Sequence, residues 1–273
     1  MNRRSFIMTP AIAAAARVTL SAAGDQPGDI KLGVASYSLR KKSLAESIQA
    51  LKEMNIRYLK MKVEAHLPQT STPAQVAEAK KMLDDAGIIL ESTGNKAMQK
   101  DEAEIRSKFE YAKLLGVKLM IIAPTATTLP IVEKCVKEYD IKVALHNHGP
   151  EDKHFPTAAS VLTAIKGLDP RVGLCLDIGH SARTGEDLVD AVRKAGPRLL
   201  DIDAKDLLTP TGKPTQVAVG DGDLPIGPLF KELKKQKWGG VVHLEYEILP
   251  DNPVPGMQKS FAFMRGVIAG LRA

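Results

Sequence analysis

Four polar residues end four apolar, strand-like segments in the second half of the chain, namely His146, Asp177, Asp203 and Glu245. Three carboxylates that converge in one cavity repel each other, and a bound divalent cation removes that penalty. Carboxylate oxygens with an imidazole favour Mn²⁺, Mg²⁺, Co²⁺ or Zn²⁺ over metals that prefer thiolates. The sequence therefore predicts one divalent metal ion held by these residues. The alternative is a salt-bridged network in which Lys205 and Lys62 neutralise the acids.

Strand periodicity places all four residues on the same kind of face, because successive side chains of a strand point to opposite sides. In the segment that ends at His146, Val143 and Leu145 share one face and Ala144 shares the other with His146. The corresponding aliphatic pairs in the next three segments are Leu174 with Leu176, Leu200 with Ile202, and Val242 with Leu244. We expect these pairs to face a layer of helices and the opposite face to line an interior. That face also contains Cys175, Asp201 and His243, and we expect His243 to be a core residue or a partner of a ligand.

Strand-like and helical patterns alternate along the chain. The eight strand-like segments are 31–37, 57–62, 88–92, 118–123, 142–146, 172–177, 199–203 and 241–245. The eight helical patterns are 44–54, 73–86, 101–115, 130–139, 158–166, 186–195, 227–236 and 257–271. Strict alternation implies parallel strands with crossover helices, and eight units in about 250 residues are typical of a closed (β/α)8 barrel. We therefore predict the α/β class and a single (β/α)8 TIM barrel over residues 24–273, with its active site at the C-terminal ends of the strands.

Residues 1–23 are predicted to be a secretory signal of the twin-arginine kind. Arg3 and Arg4 precede an alanine-rich run, and small residues at Ser21-Ala22-Ala23 suit cleavage after Ala23. We therefore expect a periplasmic or secreted protein. Removal of this segment lowers the formal net charge from +6 to +3.

Composition excludes several classes of protein. A charge of +3 and 4% aromatic residues argue against a nucleic-acid partner, and two cysteines exclude a disulfide scaffold. No apolar stretch of the mature chain is long enough to span a membrane. A homo-oligomer is compatible with the sequence.

The runs Val143–Asp152, Leu176-Asp177-Ile178-Gly179-His180 and Leu244-Glu245-Tyr246-Glu247 resemble the xylose isomerase-like barrel superfamily. The resemblance covers essentially the whole mature chain. It implies one divalent metal held by Glu, Asp, His and Glu from strands five to eight, and two glutamates that move a proton next to a carbonyl. Asp177 and Glu245 match two of these ligands, whereas His146 and Asp203 replace the fifth-strand Glu and the seventh-strand His. Glu151 lies five residues after His146 and is the other candidate for the fifth-strand ligand.

The predicted function is that of a divalent-metal-dependent sugar isomerase or epimerase, which removes a proton next to the carbonyl of a free sugar or keto-sugar. We expect Glu151, Glu245 and Lys205 to be catalytic. His66, His148 and His180 are expected to bind the carbohydrate substrate. The alternatives are a lyase or hydratase of 3-keto-glycosides with the same enediolate chemistry, and a non-catalytic sugar-binding barrel. The endonuclease branch of the superfamily is disfavoured, because its three-zinc site needs many histidines and this chain has six.

Overall fold

The computed structural model describes residues 30–210 and 215–272, and the predicted signal segment lies outside them. Eight parallel strands form a closed barrel in which each strand pairs with its neighbours in sequence and the last pairs with the first. Their bounds are β1 Lys31–Ala35, β2 Tyr58–Met61, β3 Ile89–Met98, β4 Leu119–Pro124, β5 Lys142–His146, β6 Val172–Asp177, β7 Leu199–Ala204 and β8 Val241–Leu244. The prediction of a single (β/α)8 barrel is confirmed.

Eight helices cover the outside of the barrel, one after each strand. They are α1 Leu44–Glu53, α2 Pro73–Asp85, α3 Glu102–Leu115, α4 Leu129–Tyr139, α5 Ala158–Ala164, α6 Leu188–Ala195, α7 Ile226–Lys235 and α8 Val254–Gly270. Local signals explain their limits. The side chains of Ser43 and Thr72 accept hydrogen bonds from the first turns of α1 and α2, and Gly116 ends α3 in the left-handed conformation that glycine adopts freely.

Two apolar layers lie on opposite sides of the barrel wall, as the alternation predicts. The outer layer contains Val143, Leu145 and their counterparts on β6 and β8. The inner layer is small, with Leu119, Ile121, Ala144 and Cys175. The expected outward position of Leu200 is wrong, because Leu200 packs against this inner cluster. The register between β6 and β7 shifts there, which turns Leu200 inward while Leu199 remains in the outer layer.

Several strand limits differ from those expected, most of them by one residue. β1 ends at Ala35 and not at residue 37, because a short 3-10 helix over Ser36–Leu39 follows it. β3 continues to Met98 because Lys96–Met98 pair with the end of β4. β2 ends at Met61, and a short helix over Val63–His66 follows. Within the described residues, Cys135 and Cys175 are free and buried, and no helix is long and apolar enough to cross a membrane.

Candidate metal centre at the barrel mouth

The side chains of His146, Asp177, Asp203 and Glu245 meet inside the mouth of the barrel. Each offers one ligand atom, and these atoms all lie within 4.8 Å of one another. His146 Nε2 is 3.1 Å from Asp203 Oδ2 and 3.5 Å from Asp177 Oδ2. The predicted cluster therefore exists as a geometric group.

Neighbouring residues fix the Asp177 carboxylate. Its Oδ1 accepts the backbone N–H of His180 at 2.8 Å and so begins the short helix Ile178–Arg183. Asn147, fully buried, accepts the Asp177 backbone N–H at 2.9 Å and donates to its carbonyl at 3.2 Å. Gly179 allows close packing, because a Cβ at that position would lie 3.0 Å from Lys205 Cβ. The motif Asp177-Ile178-Gly179-His180 therefore positions one ligand and makes room for a lysine.

Two buried lysines face these acids. Lys205 Nζ lies 2.9 Å from Asp177 Oδ2, 3.0 Å from Glu245 Oε2 and 3.1 Å from Glu247 Oε1. Lys60 Nζ lies 2.7 Å from Asp201 Oδ2 and also contacts Asp203. Lys205 thus has the partners that the salt-bridge alternative requires.

Lys62 does not take part in this network. Its Nζ lies 3.4 Å from Glu64 and donates to the carbonyl of Asn95 at 3.2 Å. The expectation that Lys62 neutralises the acids of the cluster is wrong. Lys60 contacts Asp201 and Asp203 instead, and Lys62, two residues after Lys60, lies at the rim of the barrel.

Burial and pairing determine the protonation of the cluster. Burial lowers the pKa of His146, but hydrogen bonds to Asp177 and Asp203 outweigh it and raise the pKa to about 9. Burial opposes ionisation of Asp177 as well, yet the surrounding His180, Lys205 and His146 hold its pKa well below the ordinary value. Lys60 and Lys205 are charged, since their carboxylate partners outweigh burial and raise both pKa values.

The residues present fit a divalent cation. The buried Asp177 Oδ2 accepts no hydrogen bond of good geometry, although the Lys205 ammonium group lies 2.9 Å away as an ion pair, and the donor set is three carboxylates and one imidazole. Five carboxylates meet two ammonium groups here, since Asp201, Glu247 and Lys60 belong to the same network. With His146 neutral, negative charge is in excess, and this excess favours a bound cation.

A cavity of about 380 Å³ opens above the cluster. Its lining residues are Tyr37, Lys62, Asn95, Ala97, Ala123, His146, His148, His180, Glu245 and Glu247. The ring centroid of His146 lies 4.4 Å from that of His148 and 5.9 Å from that of His180. Two of the three predicted substrate-binding residues, His148 and His180, therefore line the cavity above the cluster.

His148 is held as a neutral imidazole. Its Nδ1 donates to Asp152 Oδ2 at 3.2 Å, and its Nε2 accepts from Asn95 Nδ2 at 2.8 Å. Burial, together with the charges of His146 and His180, lowers its pKa to about 4. Nε2 is therefore the nitrogen without a proton, and it lies beside the cavity.

Two other predicted residues lie apart from this cavity. His66 belongs to the short helix after β2 and contacts the carbonyl of Ser36 at 3.1 Å. Glu151 is 68% exposed and pairs with Arg183, whose guanidinium contacts His180 at 3.2 Å. The structure therefore brings Glu245, His148 and His180 to the cavity, with Lys205 buried against Glu245, but does not bring Glu151 or His66 there.

Sequence reasoning missed Lys60, Asn95 and Glu247. Lys60 was detectable, because Leu59 and Met61 belong to the outer apolar layer and the intervening lysine must point inward. Asn95 had no local signal, since it reaches the mouth through the extension of β3.

The chain belongs to the xylose isomerase-like TIM barrel family. A family model described as "Xylose isomerase-like TIM barrel" matches residues 25–267. No protein of curated function matches the sequence.

Solved structures show the same fold. An uncharacterised protein from Parabacteroides distasonis is 25% identical, with a TM-score of 0.67 over 87% of this chain and 99% of its own. The 3-keto-D-glucoside 4-epimerase YcjR from E. coli is 16% identical, with a TM-score of 0.71 over 87% and 99%. The IOLI protein, described with a bound zinc atom, is 19% identical, with a TM-score of 0.73 over 88% and 99%.

Proposed function

We propose that this protein is a divalent-metal-dependent isomerase or epimerase of a free sugar or keto-sugar. The observation that carries the proposal is the convergence of His146, Asp177, Asp203 and Glu245 below a cavity lined by His148 and His180. Such convergence of an imidazole, carboxylates and a small polar cavity at the C-terminal ends of barrel strands is typical of a catalytic site. A family that includes epimerases and a dehydratase supports the same class of reaction.

The four clustered residues would hold one divalent metal ion. When bound, such an ion polarises a carbonyl and an adjacent hydroxyl as a Lewis acid. His146 and Asp203 exchange ligand types relative to the set that the resemblance implies, so the site still offers three carboxylates and one imidazole, which suit Mn²⁺, Mg²⁺, Co²⁺ or Zn²⁺.

Glu245 is the best-placed base for the proton next to the carbonyl. It lines the cavity, is 13% exposed and lies 3.0 Å from the Lys205 ammonium group. Lys205 keeps the carboxylate oriented and stabilises negative charge that develops on a substrate oxygen. Glu151 is not assigned this role, since it pairs with Arg183 outside the cavity.

His148 is proposed to receive or return a proton on another side of the substrate. It follows β5, three strands away from β8 around the barrel, and Asp152 fixes its tautomer. A second proton-handling group separated from Glu245 is what an isomerisation or epimerisation requires. His180 is proposed to donate to or accept from substrate hydroxyls.

Two alternatives use the same cavity. Expulsion of a β-substituent after proton removal would make the protein a lyase of 3-keto-glycosides, and one neighbour is a probable 3-DHS dehydratase. A non-catalytic sugar-binding barrel is favoured by one observation, namely that the Lys205 ammonium group already bridges Asp177 and Glu245. Metal content separates the binding protein, which needs none, from the two enzymes, and the reaction product separates the lyase from the epimerase.

Screening free, keto- and phosphorylated sugars with added Mn²⁺, with products detected by NMR, tests the proposal. Solvent deuterium should appear at the carbon next to the carbonyl of the true substrate. Glu245→Gln should abolish that exchange, whereas Glu151→Gln, as the matched control outside the cavity, should preserve it. Deuterium exchange that persists in Glu245→Gln would contradict the assignment of Glu245 as the base. Turnover by the metal-free protein would contradict the proposal that the reaction depends on a metal ion.

We also propose that the protein is exported, on the evidence of the Arg3-Arg4 segment. An exported enzyme meets free sugars and keto-sugars more than phosphorylated intermediates. This compartment favours an uncharged substrate at the mouth.

A further inference from the structure

A second cavity lies at the opposite end of the barrel, where the strands begin. It measures about 700 Å³, larger than the cavity at the mouth. It lies between the starts of β4, β5 and β7 and the segment that leads into β8. We call it the floor cavity; its lining residues are Glu91, Lys118, Leu119, Lys142, Gly196, Pro197, Leu199, Leu200, Gln236, Lys237, Trp238, Gly239 and Gly240.

Three unpaired cations line the floor cavity. Lys118, Lys142 and Lys237 are exposed, and the described part of the chain gives none of their ammonium groups an acidic partner. By contrast, Lys60 and Lys205 at the other end are fully paired with carboxylates. The floor cavity therefore carries an uncompensated positive charge that favours an anionic ligand.

Its inner end contains the Glu91 carboxyl group, and the imidazole of His243 lies close to Glu91 in the barrel interior. Glu91 Oε2 is buried and has no hydrogen-bond partner in the described structure, and the same is true of Nε2 of His243, which is fully buried. Glu91 and His243 offer ligand atoms within 4.8 Å of each other and of Asp201. Burial raises the pKa of the Glu91 carboxyl group. Unsatisfied buried groups of this kind are costly unless a ligand or water hydrogen-bonds to them.

One wall of the cavity is a fixed aromatic surface. Trp238 Nε1 donates to the Leu199 carbonyl at 2.7 Å, which holds the indole in place. Gly240 allows the backbone to pass beside the ring, since a Cβ there would lie 2.3 Å from Trp238 Cζ2. Apolar walls with a few convergent polar groups are typical of small-molecule sites of this volume.

We propose that the floor cavity binds a monosaccharide that carries an acid group, either a carboxylate or a phosphate. Lys118, Lys142 and Lys237 bind the acid group. The sugar ring packs against Trp238, and its hydroxyls hydrogen-bond to Glu91 at the inner end. This site is separate from the mouth and does not depend on the reaction proposed there.

Trp238 provides a direct readout, because it is the single tryptophan of the chain. Its fluorescence should be titrated with glucuronate, glucose 6-phosphate, glucose and inorganic phosphate, and each titration repeated by isothermal calorimetry. We expect saturable binding of at least one anionic sugar. Glucose and inorganic phosphate should bind at least about tenfold more weakly, since each offers only half of the contacts.

Charge reversal identifies the site. The double variant Lys118→Glu with Lys142→Glu should weaken binding of the anionic sugar by at least about tenfold. Lys52→Glu with Lys166→Glu, on exposed lysines outside the cavity, should leave it unchanged, as should Glu245→Gln at the mouth. Absence of saturable binding by both methods, equal binding of glucose or phosphate, or undiminished binding in the Lys118 and Lys142 variant would each overturn the proposal.

Discussion

The imidazole Nε2 of His146 lies 3.1 Å from Oδ2 of Asp203, between the inward faces of two strands that do not pair directly with each other. A proton occupies this gap in the metal-free protein, because the aspartates raise the pKa of His146 to about 9. A metal ion ligated by the same nitrogen must displace that proton. Metal affinity and pH are therefore linked at this residue.

Metal affinity should rise with pH below about 9. His146 is protonated below its pKa, so each unit of pH between 6.5 and 8.5 should increase Mn²⁺ affinity by about tenfold. Calorimetric titration at three pH values measures this slope, and a pH indicator detects the released proton. His146→Asn should bind more weakly and with a flatter slope. An identical slope in that variant would show that another group releases the proton.

Lys60 should stabilise the metal-free barrel strongly. Lys60→Met leaves Asp201 and Asp203 buried with one cation fewer, so the free energy of unfolding should fall by about 3–5 kcal/mol. Urea denaturation in the presence of a chelator measures the loss. Lys62→Met is the matched control, because Lys62 pairs at the rim with the half-exposed Glu64 and should cost under about 1 kcal/mol. Equal losses in the two variants would contradict the buried network.

The alternation of side chains predicted much of this network but not all of it. His146, Asp177 and Asp203 were found because each ends a strand on its polar face, and that parity holds in the structure. The same reasoning applied to β2 finds Lys60. It fails at Leu200, where the shift in register between β6 and β7 reverses the face, and no residue type in that segment signals the shift.

Loop residues could not be positioned by sequence reasoning in the same way. Glu151 follows β5 closely enough to reach the mouth, yet its side chain pairs with Arg183, which comes from the next βα unit. Such a contact depends on tertiary structure and has no local pattern. Glycines that end helices are different, because the left-handed conformation of Gly87, Gly116 and Gly167 follows directly from residue type.

Position 203 should tolerate exchange of one ligand type for another. If Asp203 is a ligand, then Asp203→His should retain a metal ion with preference shifted toward Zn²⁺ or Co²⁺, whereas Asp203→Ala should lose it. Elemental analysis after dialysis against mixed metals measures both quantities. Full metal content in Asp203→Ala would leave Asp203 as a partner of Lys60 and His146 and not a metal ligand.

Export should depend on the arginine pair. A reporter fused to residues 1–30 should leave the cytoplasm, and Arg3→Lys with Arg4→Lys should abolish that transport. Arg17→Lys, which lies beyond the alanine-rich run, is the control and should leave it intact. Transport that survives replacement of the pair would remove the twin-arginine assignment, and absence of transport in the unmodified fusion would remove the argument for unphosphorylated substrates.

The central claim is that Asp177 and Glu245 hold a metal ion and do not serve only as partners of Lys205. The most direct measurement is the number of Mn²⁺ ions bound per chain after dialysis of the wild type, Asp177→Ala, Glu245→Ala and Glu247→Ala. Glu247→Ala is the matched control, because Glu247 contacts Lys205 at 3.1 Å but does not belong to the four-residue cluster. We predict about one ion in the wild type and in Glu247→Ala, and at least about tenfold weaker binding in the other two variants. Undiminished binding in both Asp177→Ala and Glu245→Ala, or no binding in the wild type, would contradict the account and leave the salt-bridged network as the explanation of the site.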